Sequence, residues 1–266
     1  MMNTTDSIVP GTLFTAAVMA GERKGKQPVA DAAGVCCKAM VPVAGKPMLR
    51  RVLDALRASE LIGEISIVGL PREVEDLFPG LKLLPGKNSP CASACHVLEL
   101  CSEQLPLLVT TADHALLTAE MVDFFCQKAA RTDADLVVAV AAIDTNDTQF
   151  PGLKRTLKRF RGQAYSGCNL YAFMRPAARV VPEHWLQVEQ KRKSAWRVIS
   201  QLGWVSVLSY LLGRLSLEDA LAKLSAKLGV RIEAVVMPFP EAAIDVDTVA
   251  DWHIVNRYLG FPLEVE

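Results

Sequence analysis

Short apolar segments alternate with amphipathic segments along most of the 266-residue chain. Short apolar runs are typical of buried strands, and we find them at 12–21, 64–70, 81–86, 106–113, 134–143, 165–173 and 231–248. Segments with helical spacing are found at 48–59, 93–102, 118–132, 183–228 and 249–260. Strands that alternate with helices predict an α/β fold, with a mostly parallel sheet and crossover helices on its faces.

Polar residues and prolines predict where individual helices begin. Pro47 stands near the start of the first helical segment, a position that Pro favours. Ser93 and Thr118 are the predicted N-caps of the next two segments, because their hydroxyl oxygens can accept from a free backbone N–H. Asp251 is predicted to lie in the first turn of the last helix, where a carboxylate complements the helix dipole.

The composition bounds the size and class of the protein. Residues 1–266 have the length of one large α/β domain, and 51% of them are apolar, which is enough for a sizeable core. Lys and Arg together number 29, as do Asp and Glu, so the net charge is zero and we expect no nucleic-acid partner. No apolar run reaches the roughly 18 residues that a membrane-spanning helix needs.

Seven cysteines are scattered through apolar surroundings. Their number is odd, and the first residues lack the features of a signal peptide, so we expect reduced thiols and a cytoplasmic protein. Cys36 with Cys37, or Cys91 with Cys95, could serve as metal ligands. Because no second Cys-x-x-Cys and no His pair has the spacing of a zinc site, we interpret the cysteines as small apolar side chains.

A carboxylate follows the most apolar of the central strands. In LLVTTADHALLT, residues 107–118, five largely apolar residues lead to Asp113 and His114. Ligands of parallel α/β sheets bind at the carboxyl ends of the strands, so Asp113 lies where such a fold has its active site. An aspartate that caps a helix or stabilises a turn is the alternative, and position alone does not decide between the two.

Three further stretches, taken with TTADHALLT, favour the active-site interpretation. They are AAVMAGERKGK at 16–26, KAMVPVAGKPMLRRVLDAL at 38–56 and AAIDVDTVADW at 242–252. In this order the four stretches resemble nucleotidyltransferases with a GT-A-like Rossmann fold. The group that contains molybdenum-cofactor guanylyl- and cytidylyltransferases and sugar- or alcohol-phosphate cytidylyltransferases is the most similar. The resemblance covers about residues 12–145 and 231–258.

The resemblance implies a nucleotide site in the first half of the chain. A loop after the first strand would cradle the triphosphate, and Lys38 would contact the phosphates. Here Glu22 stands where the family has a second glycine of a Gly-Gly-x-Gly-x-Arg pattern. The segment 86–98 would read the base and ribose. The implied nucleotide-binding residues are Ala20, Gly21, Glu22, Arg23, Lys26, Lys38, Ser89 and Ser93.

The resemblance also implies a metal site and an acceptor site. Asp113 would coordinate Mg²⁺ together with Asp247 or Asp245, which stand two residues apart in one predicted strand. Arg23, Lys38 and Asp113 would be the catalytic residues. The strand at 165–173 would border the acceptor, and the implied acceptor-binding residues are His114, Ser166, Gly167 and Asn169.

These expectations define a function with two alternatives. We expect a Mg²⁺-dependent nucleotidyltransferase that joins a nucleoside triphosphate, CTP first and GTP next, to a phosphorylated small molecule and releases pyrophosphate. A GT-A glycosyltransferase is one alternative, although no Asp-x-Asp follows the central strand. A non-catalytic nucleotide-binding or scaffold protein is the other, and the altered glycine loop supports it.

A helical insert at 183–228 exceeds what the core fold needs. It begins with the basic run at 191–193, and a segment rich in Trp, Leu and Val follows. Our main interpretation is a helical subdomain that packs on the sheet or on a second subunit of a homodimer. The alternative is an interfacial segment at 191–215 that contacts a membrane surface or an amphiphilic substrate.

Overall fold

The computed structural model describes residues 13–22, 25, 27–143, 150, 157–190 and 215–263. Predictions on Arg23, on Lys26 and on residues 191–214 therefore lie outside the described residues. The same holds for the predicted membrane contact at 191–215, except for Leu215, which is described and buried. The predicted homodimer stays a prediction, because the structure is of one chain.

The centre of the fold is one large sheet. Its strands are β1 Phe14–Met19, β4 Ile62–Val68, β5 Lys82–Leu84, β6 Leu107–Thr111, β7 Leu136–Ile143, β8 Lys158–Phe160, β9 Gln163–Phe173 and β10 Ile232–Met237. The strand order is β10-β7-β9-β6-β1-β4-β5, with β8 paired to β9. A separate two-stranded ribbon pairs β2 Pro42–Val43 with β3 Lys46–Pro47.

Most neighbouring strands of this sheet run parallel. β1 is parallel to β4 and β6, β4 to β5, and β10 to β7, whereas β9 is antiparallel to β6, β7 and β8. The predicted mostly parallel α/β sheet is thus confirmed. The carboxyl ends of the parallel strands meet at one edge, which for this class is the edge that binds ligands.

Helices cover both faces of the sheet. They are α1 Pro28–Ala32, α2 Met48–Ala58, α3 Pro90–Leu100, α4 Ala119–Ala129, α5 Val180–Gln190, α6 Leu217–Leu228 and α7 Val249–Tyr258. Apolar side chains of α2 and α4 pack on one face, and those of α3, α5 and α6 pack on the other. Helix α7 packs against α1 and the two-stranded ribbon through a smaller apolar cluster.

Two of the predicted helix starts are confirmed and one is wrong. The Thr118 hydroxyl accepts from the Met121 N–H, and Asp251 forms a capping box with Thr248 at the start of α7. Ser93 does not cap α3. Ser89 does, because Pro90 already occupies the first helical position, which places the cap one residue before it.

The strand predicted at 231–248 is only six residues long. β10 ends at Met237, and Pro238 follows, which has no N–H to donate to a neighbouring strand. A 3-10 turn at Pro240–Ala243 follows, and an extended loop then leads to α7. Asp245 and Asp247 therefore lie in a loop, and the expectation that one strand face presents both is wrong.

The helical segment predicted at 183–228 is two helices in the described part. α5 begins three residues earlier than expected, at Val180, and α6 spans Leu217–Leu228. Both helices bury apolar side chains on the same face of the sheet. Within the described ranges, no helix combines the length and apolar character needed to cross a membrane.

Candidate active site

One ammonium group and two carboxylates meet at the carboxyl edge of the sheet. Asp113 follows β6 by two residues, and Asp247 lies in the loop before α7. Lys38 begins the 3-10 turn Lys38–Met40, which follows α1. Its Nζ lies 2.6 Å from Asp113 Oδ2 and 2.5 Å from Asp247 Oδ1. Three distant parts of the chain thus converge on one point.

The charges of this cluster stabilise one another. Burial favours the neutral form of Lys38, but Asp113 and Asp247 outweigh it and raise the pKa of Lys38. Burial likewise opposes ionisation of Asp113, and the nearby Lys38 outweighs it and lowers the pKa of Asp113. Both groups are therefore charged at neutral pH. Asp113 Oδ1 is buried and makes no hydrogen bond of normal geometry in the described part of the chain.

Asp245 lies beside this cluster with a different partner. Its Oδ2 accepts a hydrogen bond of 3.2 Å from Asn169 Nδ2. Burial, together with the negative charges of Asp247 and Asp113, raises the pKa of Asp245 to about 6. Asp247, not Asp245, is thus the carboxylate that meets Asp113 at Lys38. The negative charges of Asp247 and Asp113 thus disfavour ionisation of Asp245, and a bound cation would relieve this repulsion.

The site fits a magnesium ion held by few protein ligands. The described residues contain no group of three or more His, Cys, Asp or Glu side chains placed to hold a metal. Mg²⁺ commonly takes one or two carboxylates and completes its shell with water and substrate phosphates. Asp113 and Asp247 supply two carboxylates that face one cation, and Asp113 Oδ1 has lone pairs to give.

A cavity of about 430 Å³ opens beside the cluster. Most of the residues that the resemblance implies for nucleotide binding line this cavity. Lys87, Asn88 and Thr111 line it as well, and sequence reasoning did not single them out. The predicted residues that line it are Ala20, Gly21, Glu22, Lys38, Ser89, Ser93, Asp113 and Asp247.

Three glycines bring strand ends together beneath this cavity. Gly21 follows β1, Gly69 follows β4 and Gly86 follows β5. A Cβ on Gly69 would lie 2.9 Å from Gly21 Cα, and one on Gly86 would lie 2.8 Å from Gly69 Cα. Gly69 also has φ of +76°, a conformation that side chains disfavour. Gly69 and Gly86 therefore need glycine for close backbone packing, whereas a Cβ on Gly21 would make ordinary contacts at 3.7 Å. Of the three, only Gly21 is predicted from the sequence.

The two serines of the cavity hold its wall together. The Ser89 hydroxyl accepts from the Ala92 N–H at 3.2 Å, which caps α3. The Ser93 hydroxyl accepts from the Lys87 N–H at 2.8 Å. Both hydroxyls thus order the segment 86–93, and the Ser93 hydroxyl also donates to the Lys87 carbonyl oxygen at 3.5 Å.

Three of the four residues implied for the acceptor lie on opposite faces of β9, and His114 follows β6. Successive strand residues alternate between faces, and Ser166 is buried on the face that packs against α4. His114 is also buried, and burial lowers its pKa to about 4. Gly167 and Asn169 lie on the other, more open face. The strand thus separates Gly167 and Asn169 from Ser166, and burial leaves both Ser166 and His114 poorly placed to touch an acceptor.

A bulge in β9 explains the position of Asn169. Val138 pairs with Tyr171 and Val140 with Gly167, so three residues of β9 lie between these pairs where β7 has one. Asn169 has φ of 49°, the left-handed conformation that Asn tolerates better than most residues. The bulge directs the Asn169 amide to Asp245, which connects the acceptor strand to the acidic cluster.

Residues 31–231 match the MobA-like NTP transferase domain. The match covers more than half of the chain, so the chain belongs to this family and is a nucleotidyltransferase. The prediction made from the four sequence stretches is thereby confirmed. No curated protein sequence matches the chain.

Solved structures agree with this assignment. A hypothetical transferase from Thermus thermophilus is 33% identical, with a TM-score of 0.77, over 91% of this chain and 100% of its own. The 4-diphosphocytidyl-2C-methyl-D-erythritol synthase from Anaerococcus prevotii is 14% identical, with a TM-score of 0.57, over 96% and 100%. CMP:2-keto-3-deoxy-manno-octonic acid synthetase complexed with CTP is 15% identical, also with a TM-score of 0.57, over 93% and 98%. At these lower identities the likeness shows the fold alone.

Proposed function

We propose that the protein is a Mg²⁺-dependent cytidylyltransferase that joins CTP to a phosphorylated small molecule and releases pyrophosphate. The observation that carries this proposal is the Lys38 ammonium between Asp113 and Asp247, at the side of a cavity of nucleotide size. Two structural neighbours are named for cytidylyl or CMP products, which favours CTP over GTP.

The chemistry requires charge neutralisation more than covalent catalysis. An oxygen of the acceptor phosphate attacks the α-phosphorus, and the bond from that phosphorus to the pyrophosphate oxygen breaks. Negative charge grows on the phosphoryl oxygens in the transition state, and a fixed cation in a partly buried site stabilises it. Lys38 supplies such a cation, because its side chain is three-quarters buried and its ammonium remains protonated.

A divalent ion would add to this neutralisation. Bound Mg²⁺ supplies Lewis-acid polarisation of phosphate oxygens, and Asp113 and Asp247 are the residues that would hold it. The side chain of Asp113 is fixed by burial on a short turn after β6, so it presents its carboxylate without a large loss of conformational freedom.

The open side of β9 is the place that we assign to the acceptor. A Cβ on Gly167 would meet nothing within 4 Å, so there is space beside this strand. Asn169 and Asp245 border that space next to the acidic cluster. In the sheet, β9 lies on one flank of β6, and β1, β4 and β5 with their glycine junction lie on the other. An acceptor phosphate beside β9 would therefore approach the α-phosphorus from the flank away from this junction.

The test is product formation with defined substrates. The protein is incubated with Mg²⁺, each of the four nucleoside triphosphates and a panel of phosphorylated sugars and alditols, and ³¹P NMR follows the diphosphate ester and pyrophosphate. We expect a product with CTP and at least one acceptor, and its loss with a chelator. Products formed with another nucleotide alone would overturn the CTP assignment. Tight nucleotide binding with no product from any pair would favour a non-catalytic role.

A further inference from the structure

Glu22 connects the nucleotide loop to the backbone of Lys38. Its Oε1 accepts a hydrogen bond of 3.0 Å from the Lys38 N–H, across 16 positions of sequence. Lys38 is the first residue of a 3-10 turn, and the first N–H groups of a helical turn have no partner within that turn. Glu22 therefore satisfies a donor that would otherwise need water or a ligand.

The same contact determines where the Lys38 side chain begins. The ammonium of Lys38 reaches Asp113 and Asp247, while its backbone N–H is held by Glu22. A lysine stem has four flexible carbons, so its charge is placed accurately only if its backbone is fixed and its end is paired. The two carboxylates pair the end, and Glu22 fixes the backbone.

The charge of Glu22 itself does not favour nucleotide binding. Glu22 lines the cavity proposed for the triphosphate, and it makes no salt bridge to any residue within the described part of the chain. Like charges in a partly buried cavity repel one another. The benefit of Glu22 therefore has to come from its hydrogen bond and not from its charge.

We propose that Glu22 is a positioning residue. Its carboxylate ties the loop after β1 to the 3-10 turn and holds Lys38 where the ammonium meets Asp113 and Asp247, without touching the reacting phosphates. The effect of this contact on turnover rests on the proposed function, whereas the hydrogen bond between Glu22 and Lys38 is a property of the chain alone. Glu22, which replaces a glycine of the family pattern, thus has a role different from the nucleotide-binding role that the resemblance implies.

Two substitutions separate the hydrogen bond from the charge. Glu22→Gln keeps an acceptor oxygen and removes the charge, whereas Glu22→Ala removes both. We expect Glu22→Ala to lower kcat by about 10- to 100-fold with little change in KM for the nucleotide, because misplacement of a catalytic group affects turnover. Glu22→Gln should keep wild-type kcat within about 3-fold, with an equal or lower KM, because only a repulsive charge is lost. Glu60→Ala, at an exposed glutamate, is the control.

A second readout does not depend on activity. Trypsin cleaves after Arg23, Lys24 and Lys26, which follow Glu22 directly in the sequence. We expect faster cleavage in Glu22→Ala than in Glu22→Gln, since both lack the charge and only the first lacks the acceptor oxygen.

The outcomes that overturn the proposal differ from failure of the proposed function. Wild-type kcat in Glu22→Ala, or equal loss of kcat in both variants, would overturn the positioning role. If wild-type protein turns over no nucleotide, the cytidylyltransferase assignment fails. The proteolysis experiment then tests by itself whether the hydrogen bond of Glu22 holds the loop. Equal cleavage of the two variants would then show that the hydrogen bond does not hold the loop.

Discussion

At the scale of single residues, the site depends on the balance between burial and charge. Lys38, Asp113 and Asp245 are all largely buried, and burial opposes ionisation of each. Lys38 and Asp113 overcome this by pairing with each other, so each favours the charged form of the other. Asp245 accepts a hydrogen bond from the amide of Asn169, but burial and the negative charges of Asp247 and Asp113 outweigh it and raise the pKa of Asp245. The pKa values of these neighbouring aspartates are therefore shifted in opposite directions, down for Asp113 and up for Asp245.

The pairing predicts a severe effect of Asp113→Asn on catalysis. This change keeps the size of the side chain and removes the charge that faces Lys38 and the proposed ion. We expect pyrophosphate release to fall by about 100-fold or more, the usual cost of losing a major electrostatic group. Asp54→Asn, which breaks the exposed ion pair with Lys46, is the matched control and should leave turnover unchanged. Wild-type turnover in Asp113→Asn would contradict the assignment of the site.

The raised pKa of Asp245 predicts a pH-dependent stability. Its carboxyl has a pKa near 3.8 in the unfolded chain and about 6 in the folded protein. The folded state therefore binds the proton more tightly, so the stabilisation is complete below pH 4 and is lost as the pH rises through 6. In chelator-containing buffer, the free energy of unfolding of Asp245→Asn, relative to that of wild type, should rise by about 2 kcal/mol between pH 4 and pH 7.5. Denaturant unfolding at both pH values measures this, and a difference that does not change with pH would refute it.

At the scale of elements, the ends of β1 and β6 line the nucleotide cavity, and a glycine junction holds the end of β1 in place. β1, β4 and β5 are neighbours in the sheet, and each is followed by a glycine of the same junction. Because the backbones touch, the spacing of these loops depends on the absence of side chains. The 3-10 turn with Lys38 and the loop with Asp247 then close the cavity from the other side.

The glycine junction gives a test with a matched control. Gly69 and Gly80 have nearly equal φ of +76° and +75°, but a Cβ at Gly80 would meet nothing within 4 Å. Gly80→Ala should therefore cost only the conformational strain, about 1 kcal/mol. Gly69→Ala should cost more and weaken nucleotide binding, because the new Cβ displaces Gly21. Unfolding and calorimetry measure the two effects, and equal results for both variants would contradict the role of the junction.

The alternation of side chains in β9 gives a second test at this scale. Ser166 faces the core, whereas Asn169 faces the acidic cluster. Ser166→Ala should leave turnover near wild type, while Asn169→Gly, which keeps the positive φ available, should lower it. The reason is that only Asn169 positions a carboxylate of the site. Steady-state kinetics check this, and a reversed order of the two effects would mean that the acceptor lies on the other face.

At the scale of the whole molecule, the sequence predicts the architecture better than the details of the site. Buried strands of β-branched and aliphatic residues, separated by capped helices, fix the α/β class from local patterns alone. Asp113 is predicted because it follows an apolar strand at the ligand-binding edge, and the resemblance of four sequence stretches to a known family favours the active-site role over a turn role. Its meeting with Lys38 and Asp247 depends on the strand order, which local patterns do not contain.

The errors have the same physical origin. A serine before a helical pattern is a local signal that predicts Ser93 as the N-cap, but the proline three residues earlier defines the true start of α3. Gly69 and Gly86 were missed because their close contact exists only once β1, β4 and β5 are adjacent. Asp245 and Asp247 were placed on one strand face because the two prolines after Met237 were not read as its end.

Calorimetric titration of nucleotides in the presence and absence of Mg²⁺ tests the central claim most directly. The claim is that Lys38, Asp113 and Asp247 form one site for a nucleoside triphosphate and its metal ion. We predict that CTP binds more tightly than ATP, GTP or UTP, that a chelator weakens this binding, and that Asp113→Asn weakens it to a similar extent while Asp54→Asn does not. If no triphosphate binds with Mg²⁺ present, or if Asp113→Asn binds as wild type does, the account of this site is wrong.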